Sequence, residues 1–251
     1  MTMNIILLGT GVAIPQPHRM QSGILVNINS KPILFDCGSG VLARILESGY
    51  NHTDINTVFL SHLHLDHVAD LLCLIKANWL CGKDTITIYA PIGAQIWINN
   101  LLRAYSYLQP KVRIEIHELS GGDVIKLKDI KVTCTETVHS VPSLGYKILW
   151  KDKAIVYSGD TEPCNNIIEL SDGADLLIHE CSFPDMPEVT NHTTPTKLSE
   201  MISAKSVDIG QIVLTHLYPE TRGHEREMLE CIQQNYKGHV GIGRDLQKIE
   251  L

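Results

Sequence analysis

The segment Ser61-His62-Leu63-His64-Leu65-Asp66-His67 places four potential metal-binding side chains within six positions, just after the apolar run Val58-Phe59-Leu60. His62 and His64 are two apart, so in extended backbone they project to one side. Asp66 and His67 fall where the chain is expected to turn into a helix, so one short segment can serve two adjacent ions. Imidazole and carboxylate together suit zinc, and also iron, manganese or nickel. Three further candidates each follow an apolar strand: His139 after residues 130–135, Asp160 after 154–158 and His216 after 211–215. Together these complete two sets. His62, His64 and His139 would hold one ion, Asp66, His67 and His216 the other, and Asp160 would bridge them. The chemistry of such a pair is hydrolysis. Two cations lower the pKa of a shared water toward about 7 and offset charge developing on the attacked group.

Positioning these residues calls for a strand-rich frame. Apolar runs and alternation predict strands at 4–8, 23–29, 33–35, 57–60, 85–89, 114–119, 124–127, 130–135, 145–150, 154–158, 175–179 and 211–215. Helices are predicted at 41–47, from about 68 (apolar positions 68, 71, 72, 75 and 79), at 93–105 with Ile96, Leu101, Leu102 and Tyr105 in the core, and at 225–236. Another is predicted at 195–205, with Thr194 as N-cap, Pro195 in the first position and Leu198, Met201 and Ile202 as its apolar stripe. Strands interrupted by helices, without strict alternation, predict an α/β (α+β) sandwich of mixed sheets with helices outside. No linker or repeat divides residues 1–251, which read as a single domain.

Composition bounds the function. The formal net charge is −7 over 251 residues, which excludes a strongly basic nucleic-acid binder at the level of the whole chain. Residues 154–251 carry sixteen acidic and seven basic side chains, interspersed with apolar ones. The seven cysteines form no C-x-x-C pair and read as buried, reduced thiols. The opening apolar run is too short for a signal peptide, and no stretch could span a membrane, so a cytoplasmic location without membrane association is expected.

The H-x-H-x-D-H segment, with His139, Asp160 and His216 in order after it, resembles the metallo-β-lactamase-fold hydrolases over nearly the whole length. The resemblance implies a four-layer αββα sandwich with a dinuclear site at one edge, holding two Zn²⁺, or Mn²⁺ or Fe²⁺. Asp36, in Phe35-Asp36-Cys37-Gly38, matches an early aspartate that supports the site's loops; a plain turn role is the alternative. Asp160, where many true β-lactamases carry cysteine, points to the glyoxalase II, phosphodiesterase and ribonuclease Z branches. Three segments resemble ribonuclease Z: Leu8-Gly9-Thr10-Gly11-Val12-Ala13-Ile14-Pro15, Leu177-Ile178-His179-Glu180-Cys181-Ser182-Phe183, and Asn191-His192-Thr193-Thr194.

The expected activity is therefore that of a metal-dependent phosphodiesterase. Asp66 would orient the attacking water and act as base. His179 or His192 would protonate the leaving group, and Glu180 would orient a histidine. Arg19 and Lys147 are candidate phosphate partners. Ribonuclease Z enzymes that grip precursor tRNA carry a long arm between the residues matching His139 and Asp160. Here only twenty residues separate the two, enough for two strands and a turn. A small phosphodiester, or an RNA held through another surface, is the expected substrate, and a homodimer is compatible. The alternatives are a glyoxalase II-like thioester or lactone hydrolase and a catalytically silent metal-binding module.

Overall fold

The computed structural model describes residues 2–186 and 189–251; Met1, Pro187 and Glu188 lie outside them. One sheet contains β1 (Met3–Gly9), β2 (Gly23–Ile28), β3 (Lys31–Phe35), β4 (Thr57–Phe59), β5 (Thr85–Pro91), β6 (Arg113–Leu119) and, at its far edge, β14 (Gln247–Glu250), in the order β14-β1-β2-β3-β4-β5-β6. The other contains β7 (Val124–Leu127), β8 (Ile130–Glu136), β9 (Leu144–Trp150), β10 (Lys153–Tyr157), β11 (Ala174–Glu180), β12 (Ile209–Thr215) and β13 (His239–Ile242), in the order β13-β12-β11-β10-β9-β8-β7. Both sheets are built alike. β1, β2 and β3 pair antiparallel and β3 through β6 parallel. In the second, β7 through β10 pair antiparallel and β10 through β13 parallel.

Period-2 alternation gives each sheet two apolar faces. The inner faces meet through Phe35, Phe59, Tyr146, Trp150, Ile178 and Val213, with Phe35 and Phe59 stacked at 5.0 Å. The outer face of the first sheet is covered by α1 (Val41–Glu47), α2 (Leu65–Val68), α3 (Leu71–Leu80) and α4 (Ala94–Ala104), through Val41, Ile45, Leu71 and Leu74 among others. The outer face of the second is covered by α5 (Asn165–Leu170), α6 (Pro195–Lys205) and α7 (Glu225–Gln233), through Ile167, Leu198, Ile202 and Ile232. The result is a four-layer αββα sandwich, as the resemblance to the metallo-β-lactamase-fold hydrolases implied. Among the described residues no helix is long and apolar enough to cross a membrane.

Several local expectations change. The helix expected from about 68 is two helices, α2 and α3. The break is fixed by tertiary bonds: Asp70 N–H donates to Cys37 O (2.9 Å), Cys37 N–H donates to His67 O (2.7 Å), and Asp70 Oδ2 accepts from Gly40 N and Leu42 N. On α4 the buried phase runs through Ala94 and Ile98, which leaves Ile96 69 % and Tyr105 48 % exposed rather than in the core. Thr194 stands at the N-cap of α6 in extended backbone, but its side chain makes no cap bond. The last helix, α7, ends at Gln233 rather than 236. Cys37, Cys134, Cys164 and Cys181 are buried as expected, whereas Cys73 and Cys81 are exposed.

Candidate metal centre

The site lies where the ends of both sheets meet. β4 delivers the 61–67 segment, β8 leads to His139, β10 to Asp160 and β12 to His216, at the carboxyl ends of their strands, where open α/β sheets bind ligands. Two glycines allow the close approach of these loops. A Cβ on Gly38 would stand 2.0 Å from Asp66 O, and one on Gly159 would stand 2.8 Å from Ser61 Cβ. Gly159 also has a φ of +60°, a region costly for other residues.

All seven side chains expected from the sequence come together. The donor atoms of His62, His64 and His139 lie within 4.8 Å of one another, as do those of Asp66, His67 and His216. Asp160 joins His62 and His67 in a third such group, and His192 and His216 in a fourth.

Hydrogen placement follows from the network, because a carboxylate only accepts. His67 Nδ1–H donates to Asp36 Oδ2 (2.8 Å), and Ser61 Oγ–H donates to the same oxygen (2.7 Å). Ser61 Oγ therefore accepts from His62 Nδ1–H (3.0 Å). Ser61 N–H donates to Asp36 Oδ1, and Tyr157 O–H to Asp36 Oδ2, each at 2.7 Å. A single buried carboxylate thus fixes the ring of one histidine in each trio and leaves its Nε2 free. That role settles the alternative left open for Asp36 against a plain turn, although its φ of 57° does bend the chain at the end of β3.

Similar supports hold the rest. His139 Nδ1–H donates to Asn191 O (3.0 Å). Ser182 Oγ–H donates to Glu180 Oε2 (2.9 Å), so Ser182 Oγ accepts from His216 Nδ1–H (3.0 Å). Ser61, Tyr157, Ser182 and Asn191 were not singled out from the sequence; the available signal was a polar residue beside a candidate ligand or at a strand end.

The donor set fits a cation. His62 Nε2 and His139 Nε2 both present lone pairs to His64 Nδ1, at 3.0 and 3.1 Å, and one proton on His64 cannot satisfy both. His67 Nε2 and Asp160 Oδ1 are buried with no hydrogen-bond partner among the described residues. Burial, with His67 next in weight, holds the His62 imidazole well below its usual pKa. Burial likewise lowers His64 and His139. All three are therefore neutral and ready to ligate at pH 7. Burial pushes Asp160 up, but His216 and His67 override it and hold that carboxyl well below the carboxylate range. Asp66 is lowered against burial by its bond to His216. Burial works to lower His67, but Asp160 and Asp36 hold it well above the usual value.

The remaining candidates divide. Glu180 ends β11 on the inner face, fully buried, and accepts from Thr161 N, Thr193 N, Ser182 N, Ser182 Oγ and His192 Nδ1. His192 stacks on His216 with ring centroids 5.3 Å apart and borders Tyr218 at 5.5 Å. Burial would lower its pKa, but the bond to Glu180 raises it. Burial pushes the Tyr218 phenol up, with Asp160, Asp66 and Glu180 adding to it, so Tyr218 stays a protonated donor.

His179 lies elsewhere. It pairs across the ladder with Leu214, on the helix-covered face, and donates from Nδ1 to Glu180 O (2.6 Å). Alternation along β11 sends its side chain away from the donor cluster. Arg19 and Lys147 are also engaged away from the cluster. Arg19 Nη1 donates to Thr10 Oγ1 and Gly243 O, and Lys147 Nζ donates to Asp172 O.

Comparison with known proteins agrees with this geometry. Residues 3–234 match the family model described as "Anti-Pycsar protein Apyc1". The chain is 31 % identical to a ribonuclease Z of Pyrococcus horikoshii, over 86 % of this chain and 87 % of that one. It is 28 % identical to the ribonuclease Z of Methanosarcina mazei, over 99 % and 98 %. That second alignment runs over 303 positions, so the archaeal protein carries residues this chain lacks. Among solved structures, the metallo-β-lactamase-fold protein YhfI of Bacillus subtilis superposes over 100 % of both chains with a TM-score of 0.85 at 24 % identity. On sequence, fold and donor set alike, this chain belongs to the anti-Pycsar Apyc1 family, a ribonuclease Z-like group of the metallo-β-lactamase fold, and is a metal-dependent phosphodiesterase.

Proposed function

We propose that the chain, acting as one unit over residues 1–251, is a dinuclear zinc hydrolase of small phosphodiesters. The observation that carries this reading is the convergence of two donor trios on one shared carboxylate, Asp160. His62, His64 and His139 would hold one ion and Asp66, His67 and His216 the other, with Asp160 between them. The nitrogen and oxygen donors suit Zn²⁺ and accommodate Mn²⁺ or Fe²⁺. When bound, the pair supplies an activated water near neutral pH and offsets charge on the phosphoryl oxygens.

The chain's own residues do the rest. Asp66 orients the attacking water and holds its proton. His192 donates a proton to the leaving alkoxide: Glu180 secures its Nδ1–H, which leaves Nε2 toward the cleft. Glu180, through Ser182, also keeps His216 in place. The buried His179 braces the end of β11 through the Glu180 carbonyl.

Substrate size follows from what stands between His139 and Asp160. β9, β10 and their turn fill residues 144–157 of that stretch and leave no arm to grip a tRNA. Relatives named ribonuclease Z act on RNA, which remains the larger-substrate outcome of the test. Metal analysis should find about two equivalents of transition metal per chain. Asp66→Ala should abolish turnover of bis(p-nitrophenyl) phosphate with the fold intact. Metal-replete protein inactive on every phosphodiester would overturn the reading.

The face where α2, α3 and α4 meet the residues that follow α4 supports self-association. Leu65, Tyr105 and Tyr107 are 73 %, 48 % and 50 % exposed and border a cavity of about 410 Å³ with Trp97 and Leu101. An apolar patch of this kind commonly marks an interface. We assign it to a homodimer, which sedimentation should detect and Tyr105→Glu should dissociate; a monomeric wild-type chain would contradict it. Seven free cysteines suit a reducing compartment, so we place the chain in the cytoplasm.

A further inference from the structure

We infer that Tyr218 is a further catalytic residue, whose phenolic hydroxyl donates a hydrogen bond to a phosphoryl oxygen of the bound diester. The inference rests on the hydrolase reading above and adds a direct substrate contact to it.

The backbone that carries Tyr218 is held on every side. His216, two residues earlier, turns the chain out of β12 with a φ of 55°. Leu217 N–H then donates to Thr10 O (2.9 Å), and Leu217 O accepts from Gln16 Nε2 (2.7 Å). Tyr218 N–H donates to Ser182 O (3.1 Å), and Tyr218 O accepts from Thr221 N and Thr221 Oγ1. The ring is equally constrained. Phe183 stacks on it at 4.3 Å, and its edges meet His192 at 5.5 Å and His216 at 6.0 Å. The side chain is thus wedged between a proposed metal ligand and the proposed general acid, in a position fixed before substrate arrives.

Its hydroxyl, in contrast, has no hydrogen-bond partner among the described residues. Of the nearby carboxylates, Asp66 and Asp160 each turn one oxygen to histidine, and neither is bonded to the phenol. Asp66 Oδ2 lies 3.3 Å from His216 Nε2. Asp160 Oδ2 lies 3.2 Å from His216 Nε2 and 3.4 Å from His67 Nε2. Glu180 is saturated by the five donors named above. The ion pairs of the cluster use only histidine as the cationic partner, so a diester bound here meets no lysine or arginine in them. A phenol whose ring is fixed beside His192 and His216 carries a donor in want of an acceptor, and phosphoryl oxygens are strong acceptors. A purely structural wedge would be served as well by phenylalanine.

Tyr218→Phe keeps the ring and removes only the hydroxyl. On metal-loaded protein its kcat/KM for bis(p-nitrophenyl) phosphate should fall about ten- to hundredfold. The inhibition constant of inorganic phosphate should rise with it, while bound metal and melting temperature match the wild type. A variant with wild-type kcat/KM overturns the proposal, as does a loss that tracks an equal loss of bound metal. If the wild-type chain hydrolyses no diester, the hydrolase reading itself has failed. Calorimetric binding of inorganic phosphate to the two metal-loaded chains then still decides the hydroxyl's role: weaker binding to Tyr218→Phe supports it and equal binding overturns it.

Discussion

Replacing Asp36 by asparagine should weaken both halves of the metal centre at once, although Asp36 is not among its proposed ligands. Its Oδ2 accepts from Ser61 Oγ, His67 Nδ1 and Tyr157 O–H, and its Oδ1 from Ser61 N–H. An amide offers one oxygen. With that oxygen at the Oδ2 position, the NH₂ group faces Ser61 N–H, leaving a buried donor unsatisfied at a cost of about 1–3 kcal/mol. The three remaining bonds also lose the charge assistance that roughly doubles their strength. A total of about 2–4 kcal/mol should be lost from the metal-free fold, read as a lower urea midpoint. Metal affinity should drop about 10- to 100-fold, the usual effect of removing a partner that orients ligands. His67 is addressed directly and His62 through Ser61, and the two belong to different trios, so both sites should weaken in a chelator-competition titration with zinc. Ser61→Ala supplies the contrast: it frees His62 but leaves the direct bond from His67 to Asp36, so the His62 site should weaken more. Asp36→Asn with wild-type affinity at either site would refute the shared support.

His192→Ala should lower kcat on a small diester by about 10²- to 10⁴-fold while both metals stay bound; loss of metal instead would make it a ligand. His179→Ala should melt earlier than the wild type yet turn over at the wild-type rate when metal-loaded, and a large fall in kcat would return it to the chemistry. Chelator-treated protein should lose stability as the pH falls from about 7.5 to 5.5. His62, His64, His139 and His179 are held below their usual pKa by burial, so unfolding lets them bind protons near the ordinary value of about 6.5. His67 and His192, held above it, act in the opposite sense but are fewer. A urea midpoint that rises on acidification would contradict this balance.

Most of the donor set was legible because metal ligation concentrates rare residue types. Three histidines and an aspartate in six positions have few uses other than holding cations. His139, Asp160 and His216 were legible because each ends an apolar run. Elements held mainly by their neighbours were not. Residues 165–170, read Asn-Asn-Ile-Ile-Glu-Leu, are too short to show a helical period, and α5 exists because Ile167 and Ile168 fill the layer against α6. β13 and β14 are short edge strands, defined by pairing with β12 and β1. The phase of α4 is not legible in its sequence because Ile96 is more apolar than Ala94, whereas the sheet selects the face through Ala94 and Ile98. His179 and Glu180 are neighbours in the sequence, yet the strand period sends one to the helices and the other to the site. The supporting hydrogen bonds of Asp36, Ser182 and Asn191 span up to 121 positions and exist only once both sheets have closed.

The most direct test of the account is a side-by-side turnover assay of a small phosphodiester, a cyclic nucleotide and precursor tRNA on metal-analysed protein. The account predicts about two metal equivalents per chain, clear hydrolysis of the small diesters, and little or no processing of precursor tRNA. A chain holding both metals that processes precursor tRNA in preference to every small diester would contradict the substrate assignment, and one that hydrolyses none of the three would contradict the central claim.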